Sequence, residues 1–309
     1  MNILLTGVSS FTGTWFALSL AQNGHTVIGT LQADVDSYEG IRALRIKLLQ
    51  SAGISLITNC SFGSPCFVGL VTKDIDMLCL HGAVVGNYRS VDFDVLHAVN
   101  SNTNNVRTVL ETARYSGIKG VTFTGSVFEQ DEGTGTRPLR SFSPYGLSKG
   151  LTWQVFRYWA DTLDVPLHKF VIPNPFGPYE EPRFGSYLIK QWANEKTAHV
   201  KTPSYVRDNI HVSLLAIAYV SFLEMASKTR QWQRHNPSGY VGMQGEFAHR
   251  FAKEMGARLG FKTPLVLDKQ TDFAEPAVRI NMDSLKVLDW NETKAWDDLA
   301  TFYKDMHGL

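Results

Sequence analysis

No apolar run in this 309-residue chain reaches the roughly 18 residues that a membrane-spanning helix needs, so none is expected. Charge of one sign is missing too. With 30 Lys and Arg against 29 Asp and Glu, the net charge is +1, and no bulk field draws in nucleic acid or an acidic membrane. Cysteine is scarce: Cys60, Cys66 and Cys79 show neither C-x-x-C nor zinc-ligand spacing, so no metal site is expected. They fit a reducing cytoplasm better than a disulfide framework. The opening "MNILLTG" enters an apolar strand at once and lacks the layout of a signal peptide. There is no repeat and no low-complexity tract. The remainder, 44% hydrophobic and 19% charged, is the composition of a soluble globular protein with one large or two modest domains.

What is present is an alternation. Apolar runs at 2–7, 25–30, 53–59, 75–82, 119–126 and 167–177 read as buried strands. Helical spacing occupies 13–24, 102–117 and 144–164. Strands that alternate with helices predict an α/β fold, a doubly wound parallel sheet covered on both faces. The last third reads differently: a loop and helix over 179–200, a short strand and helix over 205–227, and a mostly helical tail. We expect a dinucleotide-binding domain over 1–172, with 204–240 returning to it. A smaller, discontinuous substrate lobe would comprise 173–203 and 241–309.

"TGVSSFTG" (6–13) follows the first strand and opens the first helix. Gly7 can make the tight turn, and Gly13 lets the helix pack close to the sheet. Backbone N–H groups at the helix start can then hold a pyrophosphate. Ser10 stands where the fingerprint has its middle glycine. Gly13 is followed by Thr14 and not by lysine, which excludes a P-loop. The second strand ends "VIGTLQ" with no acid before Asp34, so a carboxylate that would repel a 2′-phosphate is missing. This tilts the cofactor from NAD(H) toward NADP(H), although Gln32 stands at that place and Arg42 is the nearest guanidinium.

Two tyrosines lie four residues ahead of a lysine: Tyr115 with Lys119, and Tyr145 with Lys149. Tyr115 ends a helix that Gly117 caps, so that pair straddles a break. Ser143 can cap the next helix and Pro144 can fill its first position, which puts Tyr145 and Lys149 one turn apart on one face. An ammonium beside a phenol lowers its pKa from about 10 and fits it to pass protons near neutral pH. Gly146 and Gly150, costly in a helix, point to close approach of a cofactor. Thr124 and Ser126, at the end of the strand before, offer a hydroxyl partner.

These stretches together resemble the extended short-chain dehydrogenase/reductase family, the NAD-dependent epimerases and dehydratases that modify nucleotide-linked sugars. "SPYGLSKG" matches the Y-x-x-x-K segment, and "VRDNIHV" (206–212) is close to an R-D-x-I-H-V strand. "NTNNVRTVLETA" resembles the family helix that begins with an asparagine, here Asn102. "VIPNPFGP" resembles its N-x-x-G-P turn, whose asparagine is Asn174. The resemblance implies a Rossmann domain with a sugar-nucleotide lobe, and a homodimer through helices 102–117 and 145–163. It implies a cofactor lying along Gly7, Ser9, Ser10, Phe11, Thr12 and Gly13. From there it would pass Thr30, Gln32, Asn59 and Cys60, then His81, Gly82 and Ala83, and reach Tyr145, Lys149 and Ile172. The hydroxyl of the S/T-x-x-V-Y-G pattern falls on Thr124, with Ser126 as substitute, and Phe128 takes the place of its tyrosine. Asn174, Arg183 and Arg207 would face the nucleotide sugar, since guanidinium groups suit phosphate. Lys269 and Arg279 are candidates for a second phosphate cation, and His211 is expected to be structural. The Asp–Glu pair of the dehydratases is absent, since Gly125 and Ser126 stand there. An epimerase and a ketoreductase both remain open, as do a non-sugar carbonyl reductase and a non-catalytic NADP(H) binder.

Overall fold

The computed structural model describes residues 1–86, 90–285 and 289–307. β1 (Asn2–Thr6) leads into α1 (Phe11–Gln22), β2 (Thr26–Thr30) into α2 (Gly40–Ser51), and β3 (Ser55–Ile57) into α3 (Pro65–Leu70). β4 (Met77–Leu80) precedes α4 (Val95–Asn102) and α5 (Val106–Tyr115). β5 (Gly120–Ser126) and β6 (Thr134–Gly135) precede α6 (Pro144–Thr162) and β7 (Leu167–Ile172). Then follow β8 (Asn174–Phe176), α7 (Phe184–Ala193), β9 (Ala198–Val200), β10 (Val206–His211), α8 (Val212–Ala226) and β11 (Arg234–His235). The chain closes with β12 (Tyr240–Met243), α9 (Gln244–Leu259), β13 (Leu265–Leu267), β14 (Val278–Ile280) and α10 (Glu292–His307).

The main sheet has the order β11-β7-β5-β4-β1-β2-β3, and all its pairings are parallel. Chain direction across the sheet reverses between β1 and β4, the crevice where ligands of doubly wound sheets lie. One core fills the face under α1, α2 and α8, with Phe16, Leu49 and Tyr219. A second fills the face under α3, α5 and α6, with Phe67, Leu110, Trp153 and Phe156. A third, with Trp192, Phe251 and Trp296, belongs to the smaller lobe of α7, α9 and α10.

Four departures from the sequence reading have physical causes. The helix expected over 102–117 is broken: α4 stops at Asn102, and Asn105 takes a left-handed φ of 50° while its Nδ2 donates to the Gly63 carbonyl at 2.8 Å. α2 was not anticipated, because its apolar residues are interleaved with Arg42, Arg45 and Lys47. Cys60 and Cys66, which spacing gave no reason to pair, are joined across the start of α3 with Cα atoms 5.5 Å apart. Finally, 204–240 does not return as one piece. α8 packs on α1 and β11 joins the main sheet, but β10 lies in a second sheet with β12, β14 and β8. The tail assigned to the lobe, 241–309, lies partly outside the described residues. Among the described residues, no helix is long and apolar enough to cross a membrane.

Candidate active site

A cleft of about 1980 Å³ runs along the carboxyl ends of the main-sheet strands, under the smaller lobe. Its first wall is the turn after β1. Gly7 has φ +72°, and a Cβ there would lie 2.7 Å from the Gly82 backbone. A Cβ on Gly13 would lie 2.2 Å from the Gly7 carbonyl. Ser10, in the middle-glycine position, is the N-cap of α1: its Oγ accepts from Gly13 N at 3.1 Å and donates to Gly7 O at 2.8 Å. Because that hydroxyl has spent its proton, His81 Nε2, 3.0 Å away, must be the donor to it. The same nitrogen lies 3.0 Å from Thr12 Oγ1. Burial first, then the charge of Lys149, holds His81 down at about 3, so it is neutral.

Ser9, Phe11, Thr30, Gln32, Cys60, Gly82, Ala83 and Ile172 line the same cleft. Asn59 does not: it tethers Asp34 through a 2.7 Å hydrogen bond. Asn102 Oδ1 accepts from Val84 N at 2.9 Å, so it braces the loop after β4, and its Nδ2 is buried without a partner among the described residues.

Of the two tyrosine–lysine pairs, the fold separates them cleanly. Tyr115 is 88% exposed at the end of α5, and Lys119 pairs with Asp76 at 2.8 Å. Tyr145 lines the cleft edge-on to Phe93, at 6.4 Å between ring centroids. Ser143 caps α6 and Pro144 starts it. Lys149 is buried, with Nζ 2.6 Å from the Thr124 carbonyl and 4.2 Å from the Phe123 ring centre. Burial lowers its pKa to about 8, against the raising effect of Glu129 and with the lowering effect of Lys169.

One sequence expectation here needs correction. Gly146 makes room for the chain itself and not for a ligand, since a Cβ would lie 2.2 Å from the Phe128 carbonyl; Gly150 faces open space. Thr124 meets Lys149 through its carbonyl. Its side chain shares a face with Phe170, its register partner in β7, and with Ser126 two residues on; Thr124 lines the cleft, and its Oγ1 is buried with no hydrogen-bond partner among the described residues. Ser126 also lines the cleft, and its Oγ accepts from Phe128 N at 3.2 Å.

At the far end of the cleft lie Asn174, Arg183 and Arg207. Asn174 Nδ2 reaches the Asp208 carbonyl at 3.4 Å, and Arg183 Nε stands 3.8 Å from Glu180. Arg207 donates to Glu275 at 2.9 Å and lies over the Tyr205 ring, so a phosphate there would compete with Glu275. Arg279 is not a phosphate ligand. It is fully buried and donates to the carbonyls of Val127, Glu129 and Arg140. Lys269 does not line the cleft. His211 is structural, as expected, and caps α8.

The description "NAD dependent epimerase/dehydratase family" matches residues 3–234. The chain belongs to this family. Solved structures that share its fold include UDP-glucuronic acid 4-epimerase from Bacillus cereus with UDP-glucuronic acid and NAD. That structure has 18% identity and a TM-score of 0.76, with 99% of this chain and 100% of that one covered. UDP-glucose 4-epimerase from Stenotrophomonas maltophila, with NAD and formylated UDP-arabinopyranose, has 21% identity and a TM-score of 0.75, covering 99% and 98%. UDP-N-acetylglucosamine 4-epimerase from Methanobrevibacter ruminantium, with UDP-N-acetylmuramic acid, has 15% identity and a TM-score of 0.72, covering 99% and 98%. Comparison with curated protein sequences finds no match.

The residues of this epimerase/dehydratase chain fit a dinucleotide. The glycine turn is a cradle that a Cβ at Gly7 or Gly13 would fill, and His81 Nδ1 and Asn102 Nδ2 are buried without partners among the described residues. Sequence reasoning missed Arg45. From α2, wholly buried, it donates to Tyr179 O at 2.8 Å and Ser9 O at 3.3 Å and pairs with Glu181 at 2.6 Å. It thereby ties the glycine turn to the loop that enters the lobe. Nothing in a single sequence marks it, because arginines on helices are usually solvated.

Proposed function

We propose that this protein transfers hydride and proton at a carbinol carbon of a nucleotide-linked sugar, in the first instance as a 4-epimerase with a bound nicotinamide dinucleotide. One observation carries the reading: the glycine turn, the Tyr145–Lys149 pair and the Asn174–Arg207 end lie along a single continuous cleft. When bound, the nicotinamide supplies the hydride chemistry. The protein's part is proton handling and positioning. The Tyr145 phenol takes the proton from the sugar hydroxyl and gives it back. The Lys149 cation, one turn behind, keeps that phenol acidic enough to do so near neutral pH. Arg207, exchanging Glu275 for phosphate, and Asn174 would seat the nucleotide end.

The hydroxyl partner is Thr124, which lines the cleft with its Oγ1 free of any hydrogen-bond partner among the described residues, and Ser126, whose Oγ already accepts from Phe128 N, is its substitute. Thr124→Val is expected to lower turnover by about a hundredfold. Ser126→Ala is expected to change it by less than about threefold, since only a turn hydrogen bond is lost. The reverse ranking in steady-state assays would pass the role to Ser126.

A ketoreductase is the second reading, favoured by Phe128 in place of the pattern's tyrosine. Incubation with a panel of UDP-, GDP-, CDP- and dTDP-sugars separates the two: an epimerase converts substrate without net cofactor use, whereas a reductase consumes added NAD(P)H with a 4-keto sugar nucleotide. If no sugar nucleotide binds at millimolar concentration, both readings fall.

For the cofactor, the adenosine end favours NADP(H). Asp34 is engaged with Asn59, and Gln32 and Arg42 line the wall together with Glu39. Titration with NAD(H) and NADP(H) side by side decides this. The homodimer expected through 102–117 and 145–163 is proposed with α4 in place of the first of these helices, because Leu96 of α4 and Leu147, Leu151 and Tyr158 of α6 are exposed apolar residues. Light scattering that returns the 34.5 kDa monomer would end that proposal. Cytoplasmic placement rests on sequence alone, and the Cys60–Cys66 bond stands against it; acid-quenched thiol trapping in cells tests it.

A further inference from the structure

Behind the Tyr145–Lys149 pair lies a buried ionic cluster that the reaction scheme does not use. Lys169, from β7, places Nζ 2.6 Å from Glu129 Oε2 and 2.7 Å from Glu132 Oε1. Lys169 and both glutamates are almost fully buried, and Lys169 Nζ lies 4.6 Å from the Trp153 ring centre. The other oxygen of Glu129, Oε1, accepts from Ser126 N at 2.7 Å. Lys149 meanwhile holds the Thr124 carbonyl at 2.6 Å. The end of β5 is therefore gripped at two points, by Lys149 at Thr124 and by Glu129 at Ser126. Gly125 lies between them over the Lys169 stem: a Cβ there would stand 2.6 Å from Lys169 Cε and 3.0 Å from Glu129 Oε1. The pattern that this strand end resembles closes with V-Y-G, so in Val127-Phe128-Glu129 a buried charge stands where the pattern has glycine.

We propose that Glu129 is a positioning residue of this site: its carboxylate clamps the end of β5 beside the catalytic pair and supplies the negative charge that balances Lys149, with Lys169 opposing it. The proposal rests on the reading of Lys149 as Tyr145's partner. Among the described residues, Glu129 and Lys169 from β7 act on Lys149, which in turn acts on His81 at the end of β4; Tyr145 lies on the same helix. Of the other elements packed on α6, α4 brings His97 to the cleft wall and uses Asp94 as its cap. α5 brings Arg107, which is engaged with Glu111 and the Trp159 ring toward the far end of α6. In so dry a place, Glu129 and Lys169 act on Lys149 with opposite sign.

That opposition supplies the test. Titration of Lys149 is followed through the NMR shift of its Cε in lysine-labelled protein, assigned with Lys149→Arg, and needs no substrate. Glu129→Gln is expected to lower the midpoint by about one pH unit, and Lys169→Gln to raise it. A purely structural cluster makes the opposite prediction, because both substitutions break the same ion pair: both midpoints move the same way or neither moves. That result overturns the proposal. If Glu129→Gln does not fold, Lys169→Gln and Lys169→Met carry the test, and a midpoint that stays or falls overturns it. The alkaline limb of kcat/KM is expected to move with the midpoint. A moving midpoint with a fixed limb would leave the Glu129 coupling standing and remove Lys149 from the proposed mechanism.

Discussion

Replacing Tyr145 with phenylalanine is expected to lower turnover by about 10²–10⁴ while leaving the fold and cofactor affinity unchanged. The hydroxyl removed is the only part of that ring the mechanism needs; the ring itself, edge-on to Phe93, remains. Circular dichroism and cofactor titration check the unchanged properties, and steady-state kinetics the loss. Full activity in Tyr145→Phe would remove the phenol from the chemistry. The pH profile adds a signed expectation. Burial holds Lys149 at about 8, below its ordinary 10.5, so its charge is lost as pH rises through about 8 and kcat/KM falls there. Stability runs the other way. Between about 8 and 10.5 the unfolded chain binds the proton that the folded Lys149 has released, so its contribution to stability grows with pH across that window.

The second large effect is expected at Gly13. An alanine Cβ there would lie 2.2 Å from Gly7 O, 2.8 Å from Ser10 Oγ and 2.9 Å from His81 Cδ2. Backbone cannot swing aside as a side-chain end can, so α1 must move off the sheet and the turn must open. Overpacking of this kind costs about 1–3 kcal/mol or more, and cofactor affinity should fall at least about a hundredfold, roughly the same size. Gly150→Ala is the contrast: apart from its own stretch of helix, no atom of the described residues lies within 4 Å of its Cβ, and alanine in a helix interior gains up to about 1 kcal/mol. Thermal melts and cofactor titrations of the two variants should therefore diverge. Equal behaviour would mean that the tight turn does not form the cofactor cradle.

The strands β1–β5 and β7 and the helices α1 and α6 were legible because their signals are local. An apolar run of four to seven residues, a glycine at the turn, and serine before proline each act within one turn of chain. The choice of Tyr145 over Tyr115 was legible for the same reason, since Gly117 and Pro144 decide which pair shares a helix face. What escaped depends on residues distant in sequence. The break between α4 and α5 needs Gly63 against Asn105. The disulfide needs α3 to start beside the end of β3. Arg45 and the Lys169 cluster are charges whose burial only the assembled fold creates, so composition and periodicity pass over them as surface residues.

The central claim is that one cleft holds a dinucleotide and a sugar nucleotide together, with Tyr145 between them. A crystal structure of the protein with NAD(P) and a UDP-sugar tests it most directly. We expect the pyrophosphate on the backbone of residues 7–13, Lys149 at the nicotinamide ribose, and the Tyr145 phenol oxygen within about 3 Å of a ring hydroxyl of the sugar. A dinucleotide bound elsewhere, or a sugar whose hydroxyls all lie beyond reach of Tyr145, would contradict the account.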